Sequence, residues 1–307
     1  MHYCDYLKFI HLKVLNLLLF KFSSLKIMNI SSKQNIDHIT FIGGGNMASA
    51  LIKGLLNNGG LPSKISVIDP SPEVGLRIKK DFSIQCISDP KQDASWQTCN
   101  FIVWAVKPQQ MKEACDSLAQ FFCNSALHLS VAAGIPSSSL VKWLGTKRIV
   151  RAMPNTPALI GLGQSGLFAL PGVTNQERQH VENIMKGTGQ SVWIEDEKLL
   201  DVVTAVSGSG PAYVFYFLEA LAEAGVELGL DTEVSKQLAI GTFIGAGQLA
   251  LQSNETLSTL RERVTSKGGT TEAALNHMKD SGISEKFKEA VKAAQEKAFQ
   301  LGVNYGN

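Results

Sequence analysis

The sequence predicts an α/β fold, in which a Rossmann-type, doubly wound parallel sheet is followed by an all-α domain. Three observations support this class. Short apolar strands alternate with helices as far as about residue 194, a glycine-rich turn directly follows the first strand, and the pattern after Glu195 is helical only. Strands that are apolar on both faces require helices on both sides of the sheet, and right-handed crossovers make such a sheet parallel. A chain of 307 residues is long enough for two domains.

Apolar runs and helical periodicity place the individual elements. In the first half we predict strands at 39–42, 65–68, 101–106, 126–132, 148–152 and 191–194. The helices predicted between them cover 47–57, 73–81, 110–122 and 175–187. In the second half, helices are predicted at 199–206, 212–228, 234–252 and 284–301.

The first 37 residues differ from the rest and are predicted to form an extension outside the domains. Their segment 7–20 is apolar, but Lys8, His11 and Lys13 interrupt it, and it is shorter than the roughly 20 apolar residues of a membrane-spanning helix. Met28 stands shortly before the first strand and is an alternative start of the protein. A membrane-surface anchor in this extension is the second interpretation.

Charge and cysteine content exclude several classes of protein. A formal net charge of +2, without a dense run of Lys and Arg, gives no basis for binding nucleic acid. The five cysteines show no CxxC spacing and the six histidines form no HxxxH pattern, so we expect no disulfide framework and no metal site. Reduced thiols are typical of the cytoplasm, and we expect a cytoplasmic protein without a membrane span.

A glycine-rich turn, FIGGGNMASAL at residues 41–51, predicts a dinucleotide site. Gly43, Gly45 and Ala48 occupy the three positions of the G-x-G-x-x-A pattern between a strand and a helix. The first glycine permits the turn, the second lets the backbone approach a pyrophosphate, and the small third residue allows close helix packing. We therefore assign residues 38–196 to a dinucleotide-binding domain.

The residue that ends the second strand leaves the choice between NADH and NADPH open. Asp69 would bind the ribose hydroxyls of NAD and repel a 2′-phosphate. Ser71 follows closely and Arg77 lies on the next helix, so either could bind a phosphate if Asp69 points away. Asp69 is also a common opening residue for a proline-containing turn.

Two later strand ends lie at the same, carboxyl edge of the predicted sheet, where ligands bind in open α/β folds. Lys107 in AVKPQ could place a positive charge near the nicotinamide, although a solvated lysine before a turn is an equal alternative. The small residues VAAG, at 131–134, leave room for a flat ring. The loops RAMPNTPAL, at 151–159, and AVSGSGPAYVF, at 205–215, either line a cleft or serve close packing.

The segment VTSKGGTTEAAL, at 264–275, predicts a site for a small carboxylate. Its two glycines allow a tight turn, and the helix that follows presents free amide groups and a positive dipole end. Thr270 and Thr271 add hydroxyl groups beside those amides. An ordinary loop with a threonine N-cap is the competing interpretation.

The helices of the second half are apolar around most of their circumference. Such helices must be covered, and a domain of roughly 105 residues has little interior in which to bury several of them. We therefore expect a homo-oligomer whose helices pack against a second subunit, with a single helical bundle as the alternative.

In their order and spacing, these motifs resemble the pyrroline-5-carboxylate reductase family. The resemblance covers about residues 39–301 and rests on IGGGNMASA, AVKPQ, VAAG, RAMPNTPA, VSGSGPAY and VTSKGGTTEAAL together. It implies a helical substrate-binding and dimerisation domain at 197–307. It also implies reduction of 1-pyrroline-5-carboxylate to L-proline, the last step of proline biosynthesis, with NADPH as the cofactor and NADH as the alternative. One departure is Lys267, which stands where the family usually has proline.

The resemblance, together with the turn after the second strand, implies the residues of the site. For the cofactor these are Gly43, Gly44, Gly45, Asn46, Met47, Ala48, Asp69, Ser71, Ala105, Val106, Lys107, Pro108, Val131, Ala132 and Ala133. For the substrate these are Glu197, Ser266, Gly268, Gly269, Thr270 and Thr271. Thr271 is expected to hydrogen-bond the ring nitrogen and orient it, which makes it the catalytic residue.

Two other functions remain as alternatives at this point. The first is a reductase of another small carboxylated imine or keto acid, such as a β-hydroxyacid dehydrogenase, which would use a catalytic lysine on a helix of the second domain. Lys236 is the residue on such a helix here, but it lacks the expected glycine-rich surroundings. The second is a cofactor-sensing protein without catalysis.

Overall fold

The computed structural model describes residues 38–91, 96, 99–122 and 125–306. The predicted extension at 1–37, including the alternative start at Met28, lies outside the described residues. The described residues form one compact unit by their contacts.

Eight strands form a single sheet in this part of the chain. They are β1 (Ile39–Ile42), β2 (Ile65–Ile68), β3 (Cys86–Ile87), β4 (Phe101–Trp104), β5 (Leu127–Ser130), β6 (Ile149–Met153), β7 (Gly163–Ala169) and β8 (Gly189–Trp193). Their order is β3-β2-β1-β4-β5-β6-β7-β8. All neighbours are parallel except β6 and β7, which pair antiparallel. The predicted doubly wound α/β sheet is confirmed, with an antiparallel step near one edge.

Helices cover the sheet and then form the rest of the described chain. They are α1 (Asn46–Asn57), α2 (Pro72–Phe82), α3 (Met111–Leu118), α4 (Ser137–Leu144), α5 (Asn175–Met185), α6 (Leu199–Val203), α7 (Gly210–Glu227), α8 (Thr232–Gln252), α9 (Leu257–Arg263), α10 (Thr270–Asp280) and α11 (Ile283–Tyr305). A π-helical turn, Thr204–Gly208, joins α6 to α7. The change from alternating strands and helices to helices only, predicted after Glu195, is confirmed.

Four of these elements, β3, β7, α4 and α9, are not predicted from the sequence, and two of them, β7 and α4, contain residues typical of loops. β7 has the sequence GQSGLFA, and its glycines serve close packing: a Cβ on Gly166 would lie 2.8 Å from a methyl carbon of Val203. α4 begins with three serines, SSSLVKWL, yet Leu140 and Trp143 bury its inner face. In both cases tertiary packing outweighs local propensity.

The core consists of two apolar layers, one on each face of the sheet. Successive residues of a strand point to opposite faces, so Phe41 joins one layer and Ile42 the other. Both are almost completely buried. From β1 the chain crosses to β2 on one side, while β4 lies on the other side of β1. This reversal of strand order opens a crevice at the carboxyl edge of the sheet, the usual ligand position in such folds.

The helical half exposes large apolar side chains. Phe215 and Tyr216 on α7 are 65% and 68% exposed, and Ile244 and Leu251 on α8 are 61% and 77% exposed. Exposed apolar surface of this extent is typical of a surface that binds another subunit. None of the described helices is long and apolar enough to span a bilayer.

A buried histidine in the central sheet should make the stability of the fold depend on pH. His128 on β5 accepts a 3.0 Å hydrogen bond at Nδ1 from Trp104 Nε1. Burial, with a smaller contribution from the charge of Arg148, lowers the pKa of His128 from 6.5 to about 4. Because the folded pKa lies below the unfolded one, this stabilisation is complete above about pH 6.5 and is lost as the pH falls towards 4.

We expect the free energy of unfolding to fall by about 3 kcal/mol over that pH range because of His128. A His128→Asn variant should lose this component of the pH dependence while the contributions of the carboxylates remain. Urea unfolding at several pH values between 4 and 7 measures the difference between the two proteins. Parallel pH profiles for the two proteins would rule out the assignment to His128.

Candidate active site

The glycine-rich turn lies between β1 and α1, and its three glycines differ in how closely other atoms of the protein surround them. Gly43 has φ +92, and a Cβ there would lie 2.8 Å from the carbonyl oxygen of Ala105. A Cβ on Gly44 would collide with Val74 at 2.5 Å, whereas one on Gly45 would meet no atom within 4 Å. Gly43 and Gly44 therefore permit close packing of the protein itself. Gly45 faces open space at the start of α1.

This geometry fits the pyrophosphate of a dinucleotide. The backbone at Gly45 is open to a ligand, and the first amides of α1 follow it directly. A helix N-terminus offers unpaired N–H groups and a partial positive charge to an anion. Ala48 is completely buried, as expected of the small third residue of the pattern.

Asp69 binds backbone amides of its own protein. Its Oδ2 accepts a 2.8 Å hydrogen bond from the N–H of Gly44, and its Oδ1 accepts one of 2.9 Å from the N–H of Ser71. Ser71 Oγ in turn accepts from the N–H of Val74 and caps α2. Asp69 thus holds the glycine-rich turn, and its predicted contact with a ribose stays a prediction.

Arg77 extends from α2 over the glycine-rich turn. Its Nη2 donates a 2.5 Å hydrogen bond to the carbonyl of Gly44, and its Nη1 lies 3.4 Å from Oδ1 of Asn46. Its Nε is buried without a hydrogen-bond partner. A guanidinium with spare donor capacity therefore stands beside the site where a dinucleotide would lie.

The other predicted cofactor residues lie at the ends of β4 and β5. Ala105 and Val106 contact the glycine-rich turn directly, since each lies close to a Cβ built on Gly43. Lys107 is exposed, and Val131 donates its N–H to Trp104 at 3.0 Å. The fold therefore gathers Gly43–Ala48, Asp69–Ser71, 105–108 and 131–133 at one edge of the sheet.

The segment 264–271 forms a compact turn before α10. Gly268 has φ +75, and the N–H of Gly269 donates a 3.0 Å bond to the carbonyl of Ser266. The N–H of Gly268 donates to the Glu272 carboxylate at 2.6 Å. Thr270 and Thr271 are the first residues of α10, so their amides are free for an anion.

The turn at 264–271, which is predicted to hold the substrate and which we call the substrate turn, is not joined to the glycine-rich turn by the hydrogen bonds described within one chain. The bonds described for 264–271 end within residues 261–273, and Ser266, Gly268 and Thr270 are exposed. The main packing partner of α10 is α11. The substrate turn is therefore accessible on the helical half of the molecule.

Glu197 lies in a buried polar cluster that connects both halves of the fold. Its carboxylate is 2.6 Å from Nη1 of Arg151, and it accepts bonds of 2.6 and 2.5 Å from the N–H and hydroxyl of Ser137. Ser137 begins α4, directly after the loop that follows β5. Nearby, burial raises the pKa of Asp201, while the charge of Arg151 acts in the opposite direction. Contact of Glu197 with the substrate stays a prediction, and its position indicates a structural role.

No individual role is predicted from the sequence for the side chains of Arg151 and Ser137. A single arginine inside the apolar strand IVRAM is the signal that could have revealed a buried ion pair. Asn155 has a similar connecting role: its Nδ2 donates to the carbonyl of Ser207 and its Oδ1 accepts from the N–H of Gln164. The loop RAMPNTPAL is thereby fixed to the π-helical turn.

Comparison with known proteins identifies the family. A sequence profile for pyrroline-5-carboxylate reductase dimerisation matches residues 197–301, and one for coenzyme F420-dependent NADP oxidoreductases matches 38–134. The pyrroline-5-carboxylate reductase of Pseudomonas aeruginosa is 40% identical over 269 residues, which cover 87% of this chain and 98% of the relative. The chain belongs to the pyrroline-5-carboxylate reductase family. The resemblance inferred from the motifs is confirmed.

Solved structures of pyrroline-5-carboxylate reductases show the same fold. The protein from Coxiella burnetii is 38% identical, with a TM-score of 0.81, over 87% of this chain and 98% of its own. The protein from Plasmodium falciparum, solved with NADP bound, is 31% identical, with a TM-score of 0.76 and the same coverage. The Rossmann-type domain and the helical dimerisation domain of the prediction agree with these relatives.

The alternative functions find no support in the described residues. Lys236 is exposed on α8 and lies 3.9 Å from Glu233, which is the geometry of a surface ion pair. In the part of the chain that the structure describes, no three His, Cys, Asp or Glu side chains are placed to hold a metal ion.

Proposed function

We propose that this protein reduces 1-pyrroline-5-carboxylate to L-proline with NADPH, the final step of proline biosynthesis. The observation that carries the proposal is the pairing of two sites in one chain of this family. A glycine-rich turn with an open position at Gly45 lies at the sheet edge, and a glycine-threonine turn begins α10. We also propose that the first domain ends at residue 196 and the second begins at residue 197, where the dimerisation profile begins as well.

The residues at the sheet edge bind and orient the cofactor. Amides at the start of α1 hold the pyrophosphate, and the ends of β4 and β5 border the nicotinamide with small side chains such as Ala132 and Ala133. The reduced nicotinamide supplies the hydride for the imine carbon. Fixing the two reactants in one geometry supplies most of the rate enhancement, because the protein then avoids the entropic cost of an encounter.

The residues of the substrate turn bind the pyrroline ring by its carboxylate. The free amides of Thr270 and Thr271 and the positive end of α10 hold the carboxylate, with Ser266 alongside. The Thr271 hydroxyl hydrogen-bonds the ring nitrogen and fixes the face of the ring. Lys267 adds a positive charge next to this site in place of the family's proline.

Oligomerisation completes this arrangement. The dimerisation profile covers the helices whose apolar side chains are exposed, and the substrate turn lies in the same half of the chain. A second subunit packed on these helices would cover the apolar surface and enclose the substrate turn. We place the enzyme in the cytoplasm, since Cys86 and Cys115 are thiols and disulfides are rare there.

The preference for NADPH rests on Asp69 and Arg77. The carboxylate of Asp69 is turned towards two backbone amides, and the guanidinium of Arg77 lies over the same turn. A 2′-phosphate near this turn would meet a cation whose charge offsets that of Asp69. Charge-assisted hydrogen bonds of arginine to phosphate are strong and directional.

We expect an Arg77→Met variant to raise the KM for NADPH about 30-fold and to change the KM for NADH by less than about threefold. The reason is that only NADPH carries the 2′-phosphate. Lys80→Met on the exposed face of the same helix is the matched control, since it removes one positive charge without touching the turn. Equal increases for both cofactors would show that Arg77 only supports the turn.

The proposed function is tested by initial rates with purified protein and pyrroline-5-carboxylate. We expect oxidation of the reduced nicotinamide with NADPH, and slower oxidation with NADH at equal concentration. Faster oxidation of NADH would contradict the cofactor preference and leave the reaction intact. A lack of oxidation with both cofactors would refute the reaction itself.

A further inference from the structure

The last turn of α11 and the residue after it contact the loops that border the proposed nicotinamide site. We name Gly302–Gly306 the C-terminal turn. Gly302 and Gly134 meet backbone to backbone: a Cβ on Gly302 would lie 2.7 Å from the carbonyl oxygen of Gly134. Gly134 itself has φ +78 and directly follows Ala132 and Ala133. Neither glycine can gain a side chain here without moving the loop after β5.

Two hydrogen bonds continue the same contact. Gln109 donates from Nε2 to the hydroxyl of Tyr305 at 3.2 Å, and Ser139 donates from its hydroxyl to the carbonyl of Gly306. Gln109 follows Lys107 and Pro108 at the end of β4. The ring of Tyr305 also packs on the apolar layer that contains Trp104. The C-terminal turn therefore touches both loops on the nicotinamide side.

The rest of α11 is anchored to the helical half. Phe287 near its start contacts Tyr213 and Phe217 edge to face, with ring centroids 5.7 and 5.6 Å apart. Further along, α11 packs against α6 and the π-helical turn. A helix of this length spans about 34 Å. It begins just after α10, the helix that follows the substrate turn, and it ends on the nicotinamide loops.

We propose that the C-terminal turn positions the nicotinamide half of the cofactor, with Gly302 and Tyr305 as positioning residues. By fixing the loops 105–109 and 131–134 from outside, it sets the depth of the cleft in which the nicotinamide ring lies. This proposal rests on the proposed function for the identity of the cofactor. The adenine half of the cofactor, at the glycine-rich turn and α2, is not contacted by the C-terminal turn in the bonds given above.

The test compares binding of the whole cofactor with binding of its adenine half. Isothermal titration calorimetry of the full chain with NADPH and with 2′-phospho-ADP-ribose gives both affinities without substrate. We expect Gly302→Ala to weaken NADPH about tenfold and Tyr305→Phe about threefold, with 2′-phospho-ADP-ribose changed by less than about twofold. Asn304→Ala, at an exposed position in the same turn, is the matched control and should leave both affinities unchanged.

Equal losses for both ligands, or no loss for NADPH in either variant, would overturn the proposal. Tyr305→Phe keeps the ring in the apolar layer, so it tests the contact even if Gly302→Ala does not fold.

A second measurement is the primary deuterium isotope effect on kcat with 4-deuterated NADPH. Misplacement of the nicotinamide ring should increase the isotope effect in Gly302→Ala and leave it unchanged in Asn304→Ala. Partial unfolding would lower kcat and leave the isotope effect unchanged. Failure of the wild-type protein to turn over would concern the proposed function and not this binding test.

Discussion

Replacing Thr271 by alanine is expected to lower kcat for pyrroline-5-carboxylate about 100-fold, with the Kd for NADPH changed by less than about threefold. Thr271 lies in the first turn of α10, beside the amides that we propose hold the carboxylate. Its hydroxyl is expected to orient the ring nitrogen, and this contact matters most in the transition state. The glycine-rich turn, which we propose binds the cofactor, lies on the other half of the chain, so the affinity for NADPH should be preserved.

A Thr271→Ser variant is the matched control, because serine keeps the hydroxyl group and loses only a methyl group. Steady-state kinetics should return it to within about threefold of the wild-type kcat. If serine and alanine reduce kcat equally, the methyl packing of Thr271 and not its hydroxyl is what matters. If alanine weakens NADPH binding as much as turnover, the residue has only a structural role.

Replacing Glu197 by alanine is expected to destabilise the protein by about 3 kcal/mol. The change would leave Arg151 without its counter-charge, and the side chain of Arg151 is only 9% exposed. It would also remove the acceptor for the N–H and hydroxyl of Ser137 at the start of α4. Thermal unfolding at a fixed protein concentration, which keeps association constant, measures the loss.

A double variant separates this structural role from the predicted contact with substrate. Arg151→Met with Glu197→Leu removes both charges, so it should recover a large part of the stability lost in Glu197→Ala. A stable Glu197→Ala protein with a strongly raised KM for pyrroline-5-carboxylate would show the opposite, namely that Glu197 binds the substrate. A structural role of Glu197 therefore lowers the stability of the variant, whereas a binding role raises its KM for pyrroline-5-carboxylate.

The sequence is sufficient to predict those parts of the fold that depend on local pattern. A strand, a tight turn and a helix are predicted from the apolar run at Ile39–Ile42, the glycines at 43 and 45 and the helical spacing after them. The structure has this arrangement. The same holds for the turn before Thr270, where two glycines and a helix start lie next to each other in the chain. Local signals of this kind are strong because each residue supports the conformation of its neighbours.

Contacts between distant residues could not be predicted in this way. Glu197 and Arg151 are 46 residues apart, and Gln109 and Tyr305 are 196 residues apart. A glutamate near a substrate loop and a glutamate in a buried ion pair have the same appearance in one sequence. Likewise Asp69 could point outwards to a ribose or inwards to the amides of Gly44 and Ser71, and only the folded structure distinguishes the two orientations.

The central claim is that this chain transfers a hydride to the imine carbon of pyrroline-5-carboxylate. The most direct measurement incubates the purified full chain with NADPH and pyrroline-5-carboxylate and quantifies both cofactor oxidation and L-proline. We expect one molecule of L-proline to form for each NADPH oxidised, and a 4-deuterated cofactor to transfer its label to the former imine carbon of the product. Oxidation of NADPH without proline, or no oxidation at all, would contradict it.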